Sequence, residues 1–237
     1  MTVFVYAIGF KDHPLRLDDL DGVGPSPARL RTVTAGPLCA VVSDAPGELP
    51  LGERDIDAHR RVQQRLMADG TIIPVRFGHT APDDEAVRLA LEERADDYAD
   101  RLGRLEGCVE YRLEASQDEE MLMREILSES EAARRLDDRI RAGTADPDVA
   151  PRLGELVTAE TRARQEALAS GVVEALRPFA REIDSAQPDG TDFLSVAFLV
   201  DEEHDELFLA TELSLAHQMG EGFDFRLDGP LPAYTFS

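Results

Sequence analysis

The sequence has no tryptophan, one lysine, two cysteines and no long apolar run. Cys39 and Cys108 are too few for a disulfide framework and have no CxxC spacing, so both read as small buried hydrophobes in a reducing cytosol. No apolar stretch approaches the roughly 20 residues that a membrane-spanning helix needs. The opening Met1-Thr2-Val3-Phe4-Val5-Tyr6 lacks the basic n-region of a signal peptide, and a cytoplasmic, soluble protein is expected. Positive charge is also short: Lys+Arg number 25 against 48 Asp+Glu, a net charge of -23. Phosphate binding needs a basic footprint, so nucleic acid is excluded as a partner and anionic membrane is disfavoured. With Lys11 the sole lysine in an alanine-rich chain, the arginine bias fits a GC-rich genome or a halophile.

What is present is core material, with 43% hydrophobic residues in a chain of 237. The central stretch is Phe193-Leu194-Ser195-Val196-Ala197-Phe198-Leu199-Val200, apolar on both alternating faces as in the middle of a covered sheet. Asp201-Glu202-Glu203 ends it. A helix from about His204 to Met219 follows, closed by Gly220. Then Phe223, Phe225 and Leu227 alternate with polar residues as in a half-buried strand. The order suggests a βαβ unit.

Toward the N-terminus, Val3 to Ile8 reads as a strand and Lys11 to Pro27 as a loop. Leu30 to Thr34 and Leu38 to Ser43 flank Ala35-Gly36-Pro37 as a hairpin, with a loop from Asp44 to Glu53. A helix over Asp55 to Ala68 has Ile56, Val62, Leu66 and Met67 as its apolar positions. Thr71 to Gly78 is a strand in which Pro74 marks an edge or a bulge. Pro82 opens a helix with a stripe at Val87, Leu91, Ala95, Tyr98 and Leu102. Val109, Tyr111 and Leu113 alternate with Glu110, Arg112 and Glu114, a strand with one wet face. From Asp118 to Gln187 the pattern reads as two helices broken at Gly143 to Pro147, the second running through Phe179 and Ile183.

The fold class is α+β in two domains. Residues 1–105 form an N-terminal mixed α+β unit and 106–228 a modified ferredoxin-like sandwich with a long helical insertion. Residues 229–237 are a proline- and aromatic-containing tail.

No catalytic constellation stands out. His13, His59, His79, His204 and His217 have no metal-ligand spacing, and there is no GxSxG elbow, phosphate loop or dinucleotide fingerprint. No catalytic residue, metal or cofactor is assigned. Asp83-Asp84-Glu85 suits a helix N-terminus, and Asp201-Glu202-Glu203 a turn. Two stretches remain as partner-binding candidates. Arg76, Phe77 and His79 lie at the exit of an apolar strand, where Arg76 could grip a carboxylate of a partner or of the chain's own helices. Pro230, Tyr234 and Phe236 belong to a stiff strip that either docks on its own sheet or meets a partner.

The opening strand, Ile72-Ile73-Pro74-Val75-Arg76-Phe77-Gly78, the Phe193 to Val200 strand and Gly229-Pro230-Leu231-Pro232-Ala233-Tyr234-Thr235-Phe236 together resemble the gas vesicle accessory family GvpF/GvpL. The blocks stand in the family's order across nearly the whole chain. The tail departs slightly, with Leu231 and Ala233 where the family often has GPWPPY. The resemblance implies a non-enzymatic assembly factor or minor vesicle component in two domains. Such a protein binds the hydrophobic shell protein, limits its aggregation during nucleation and contacts other accessory proteins. The competing reading is a small-molecule-sensing ferredoxin-like regulator; a hydrolase using Arg76 and His79 lacks a positioned nucleophile.

Overall fold

The computed structural model describes residues 1–24, 28–45, 52–143 and 146–237. The end of the first expected loop, most of the second and the middle of the expected helix break lie outside the described residues. Contacts divide the chain into two compact units. One is Met1–Tyr111 with Leu199–Glu202 and Gly229–Ser237; the other is Arg112–Phe198 with Glu203–Asp228.

In the first unit, β1 (Val3–Phe10) is the strand on which the others assemble. β2 (Arg31–Ala35) and β3 (Leu38–Asp44) form the expected antiparallel hairpin, with Gly36 in the left-handed region at the turn. β3 pairs antiparallel with β1, Phe4 opposite Ser43 and Phe10 opposite Leu38. The other side of β1 takes two short strands, β4 (Ile73–Pro74) and β5 (Thr80–Ala81), giving the order β2-β3-β1-β4 with β5 also on β1. The expected strand over Thr71 to Gly78 is therefore much shorter. Pro74 stands at the sheet edge, as its missing donor requires, and the chain turns at Phe77 and Gly78 before rejoining β1.

α1 (Glu53–Asp69) buries Ala58, His59, Val62, Gln63 and Leu66, whereas Ile56 is exposed. The buried stripe thus holds two polar residues, while of the apolar residues expected in it Ile56 is exposed and Met67 only half-buried. The single helix expected after Pro82 is two, α2 (Asp84–Glu93) and α3 (Ala95–Leu105). Asp83, not Pro82, is the N-cap, accepting from the Ala86 amide at 2.9 Å. Val87, Leu91 and Leu102 are buried, with Ala95 and Tyr98 packed beside them, so the stripe survives the break. α2 packs on β2 and β3, and α3 on β1 and β4.

The second sheet is antiparallel with order β7-β8-β6-β9, built from β6 (Cys108–Gln117), β7 (Ala180–Ser185), β8 (Asp192–Asp201) and β9 (Phe223–Leu231). β8 has the expected burial on both faces. The expected βαβ unit is present in split form: α7 (Asp205–Met219) joins β8 to β9, which run parallel with β6 between them. In the second unit, Arg226 on β9 reaches across β6, pairing with Glu114 at 3.3 Å and Asp192 at 2.8 Å, and with Asp224 at 3.0 Å. Its carboxylate partners, Asp192 foremost, hold its pKa above the usual arginine value.

Among its described residues, the helical middle contains three helices rather than two: α4 (Glu119–Glu129), α5 (Glu131–Arg141) and α6 (Val149–Leu176). Leu122, Ile126 and Ala133 form a small core of their own, backed by Leu127, Leu153, Leu156 and Val157. The second helix ends before Phe179, because Pro178 supplies no amide donor. Ile183 belongs to β7, a strand whose half-exposed pattern the helical reading missed.

Gly229 begins the tail at φ +154, and a Cβ there would lie 2.4 Å from Tyr111 Cδ1. Tyr111 is 1% exposed, so its ring has nowhere to go. Gly229→Ala is expected to destabilise the protein by about 2 kcal/mol through overpacking, read as a lower urea midpoint at unchanged slope.

Candidate functional site

The Ile72–Gly78 block and the C-terminal tail are far apart in sequence, but both are tied to one side chain of α1. Gln63 is wholly buried in the first unit. Its Nε2 donates to the Tyr6 carbonyl at 2.7 Å and to the Val75 carbonyl at 2.8 Å. Its Oε1 accepts from the Tyr234 hydroxyl. A single amide thus joins α1, β1, the block after β4 and the tail, with both its donors and its acceptor engaged.

One helical turn earlier, His59 is 2% exposed and its Nε2 donates to the same Val75 carbonyl at 2.9 Å. Its ring stacks on Tyr6 at 5.3 Å and meets Phe4 and Phe77 edge-on, each at 5.5 Å. Nδ1 is buried without a hydrogen-bond partner. A proton there would bury a charge in an aromatic cage, and burial lowers the His59 pKa below its ordinary 6.5. Tyr6 completes the group, its hydroxyl accepting from the Val23 amide at 2.7 Å and bonding Ser43 Oγ at 2.8 Å.

Of the residues singled out in the sequence, Phe77 is half-buried and closes this cage against Phe4. Arg76 and His79 are exposed on either side of it. The internal ion pair considered for Arg76 is not formed among the described residues. Among the described residues, His79 is held only by its backbone, its carbonyl accepting from the Val5 amide at 3.1 Å.

The tail docks on its own unit. Ala233 is buried, Phe236 packs against the core of Val3, Ile8 and Leu38, and burial raises the Tyr234 pKa. The Glu110 carboxylate accepts from the Thr235 amide and hydroxyl, each at 2.8 Å. Glu110 therefore has no exposure at all, contrary to the wet face expected for it. Pro230 remains exposed. Gln63 and Glu110 carry the arrangement and were missed in the sequence. The available signal was the spacing 59, 62, 63, 66, which puts Gln63 on the same face as Val62 and Leu66.

Cys39 is buried as expected, while Cys108 is half-buried, its Sγ 3.5 Å from Asp201 Oδ1. Among the described residues, no group of three or more His, Cys, Asp or Glu side chains is placed to hold a metal ion. Nor is any described helix long and apolar enough to cross a membrane.

Two outcomes are expected. Gln63→Leu strips buried carbonyls and a buried hydroxyl of their partner and should cost about 3 kcal/mol in urea unfolding. For His59, the folded pKa lies below 6.5, so the unfolded chain takes up the proton first as pH falls. Its contribution is intact above about pH 6.5 and is lost below that, down to the depressed folded value. The melting temperature of the native chain should therefore fall more between pH 7.5 and pH 5.5 than that of His59→Gln; equal falls would remove His59 from the acid response.

A family model described as "Gas vesicle synthesis protein GvpL/GvpF" matches residues 2–237. The chain is 34% identical to gas vesicle protein F of Streptomyces sp. (strain CB03234), covering 100% of this chain and 99% of that protein. It is 26% identical to gas vesicle protein L1 of Halobacterium salinarum, covering 97% and 83%. The fold matches the crystal structure of GvpF from Anabaena sp. PCC7120 with a TM-score of 0.86 at 20% identity, over 99% of this chain and 97% of that one. GvpF from Microcystis aeruginosa gives 0.80 at 19% identity, over 99% and 98%. With the family model spanning the chain and a relative above 30% identity along its full length, the protein belongs to the GvpL/GvpF family of gas vesicle synthesis proteins.

Proposed function

We propose that this protein is a non-enzymatic assembly factor that binds the hydrophobic gas vesicle shell protein and limits its aggregation while vesicles nucleate in the cytoplasm. The observation that carries the reading is family membership across residues 2–237. The net charge of -23 supports it physically, since a complex that keeps this charge repels its like and stays dispersed. Other accessory proteins are further candidate partners.

The contact is proposed at Arg76, Phe77 and His79. Two exposed polar side chains there flank an aromatic ring already fixed by the cage beneath it, so the ring itself needs no ordering on docking. Pro230 is the exposed member of the tail, whereas Tyr234 and Phe236 are half-buried and would act by holding the surface in shape. The protein has two domains, 1–105 and 106–228, followed by the tail 229–237. The order β7-β8-β6-β9 supports a ferredoxin-like second domain, being its four strands in the sequence second, third, first, fourth, with α4 to α6 in place of one helix.

A small-molecule regulator is the second reading. A cleft of about 300 Å³ in the first unit, lined in part by Met67, Thr71, Ile72, Leu105, Cys108 and Pro232, favours it. That volume is at the low end for ligand sites, about 300–1,000 Å³. A metabolite-dependent rise in melting temperature would support it.

The test is co-expression of the shell protein with tagged full-length chain, followed by pull-down. Soluble shell protein should be recovered only when this chain is present. The double variant Arg76→Ala/His79→Ala should lower the recovery several-fold at an unchanged melting temperature, both residues being exposed. Undiminished recovery would remove this rim from the contact, and no recovery with the native chain would refute direct binding.

A further inference from the structure

α7 has apolar residues on both its sides. Its inner side is spent within the second unit: Phe208 is wholly buried, edge-on to Phe198 at 5.3 Å, and α6 packs alongside. Its outer side carries Leu207, Leu209 and Leu213, exposed by 56%, 36% and 57%, together with Ala210. A cluster of large apolar side chains exposed on one face of a helix ordinarily marks a surface that meets a partner.

The outer residues form a straight seam. Glu206, Ala210, Leu213 and His217 fall at i, i+4, i+7 and i+11, the repeat by which one helix lies along another. Leu209 and Ser214 flank it. The seam is also self-complementary under reversal, with a small residue and a large one at its centre and an acid and a base at its ends. Glu206 has no partner among the described residues. His217 donates from Nδ1 to its own Leu213 carbonyl at 2.9 Å, so Nε2 is the ring nitrogen left for an outside group.

We propose that this face is the interface of a symmetric homodimer, α7 packing antiparallel against α7 of a second copy. The two-fold axis sets Leu213 against the second copy's Ala210, Leu209 against its Ser214, and Glu206 against its His217. Residue i meeting j and j meeting i is what an isologous contact requires. Charge also selects a second copy. In a chain of net charge -23 this seam has one acid matched by one base, so two copies meet there without like charges opposed. Repulsion between the remaining surfaces is screened beyond about 8 Å at physiological salt. One helix face is smaller than the roughly 1,600 Å² of a standard interface, so the dimer is reversible.

Sedimentation velocity on the full chain, from low micromolar to about 1 mM in 0.15 M salt, tests this. The mass should rise from 26.1 kDa toward twice that value. Leu213→Glu should leave a monomer with the native melting temperature. Glu206→Lys and His217→Glu should each raise the dissociation constant several-fold, and the double variant should restore it. A native chain that stays monomeric throughout overturns the proposal. So does a dimer indifferent to Leu213→Glu, or a double variant no better than the singles. If the native chain is monomeric and Leu213→Glu abolishes shell-protein recovery, the face belongs to that partner. Homodimerisation then fails while the proposed function stands.

Discussion

Gln63 is wholly buried, and its amide has to satisfy and be satisfied by backbone from several parts of the chain at once. A buried unpaired amide costs a few kcal/mol, about what one good core side chain contributes. Its position therefore constrains what surrounds it. β1 must offer the Tyr6 carbonyl, the chain leaving β4 must offer that of Val75, and the tail must present the Tyr234 hydroxyl. His59 shares the Val75 carbonyl and adds the aromatic cage, so the break in the strand after Pro74 is bonded on its inner side rather than loose.

The tail follows the same logic with a charge. Glu110 lies within β6 without exposure, where an isolated carboxylate would be costly. Two donors from Thr235 meet it, and Phe236 adds apolar packing beside them. The strip at the C-terminus is thus structural first. What it leaves outside is Pro230, and what the block after β4 leaves outside is Arg76 and His79. The exposed chemistry of the first unit stands on side chains that have no exposure themselves.

Elsewhere the arginines are largely used in short-range pairs along single helices, such as Arg88 with Glu85 and Glu92, Arg101 with Asp97 and Arg162 with Glu166. Such exposed pairs contribute little to stability. Their consequence is to neutralise basic charge locally and leave the excess of acid facing solvent. In that setting the largely apolar outer side of α7 is the exception, with one acid and one base in its seam.

Period and punctuation were legible in the residues themselves. The both-sided apolarity of β1 and β8, the hairpin around Gly36, the edge at Pro74 and the stop at Gly220 depend on local backbone and burial preferences. The family was legible too, because its motif blocks lie in order along the chain. Tertiary structure alone decided that β6 separates β8 from β9, that Ala180–Ser185 is a strand, and that Gln63, His59 and Glu110 are inside. The physical reason is that a polar side chain is tolerated in the interior only when distant groups satisfy it. For Glu110 the partner stands 125 residues away, so nothing in its local sequence could distinguish a buried carboxylate from a solvated one.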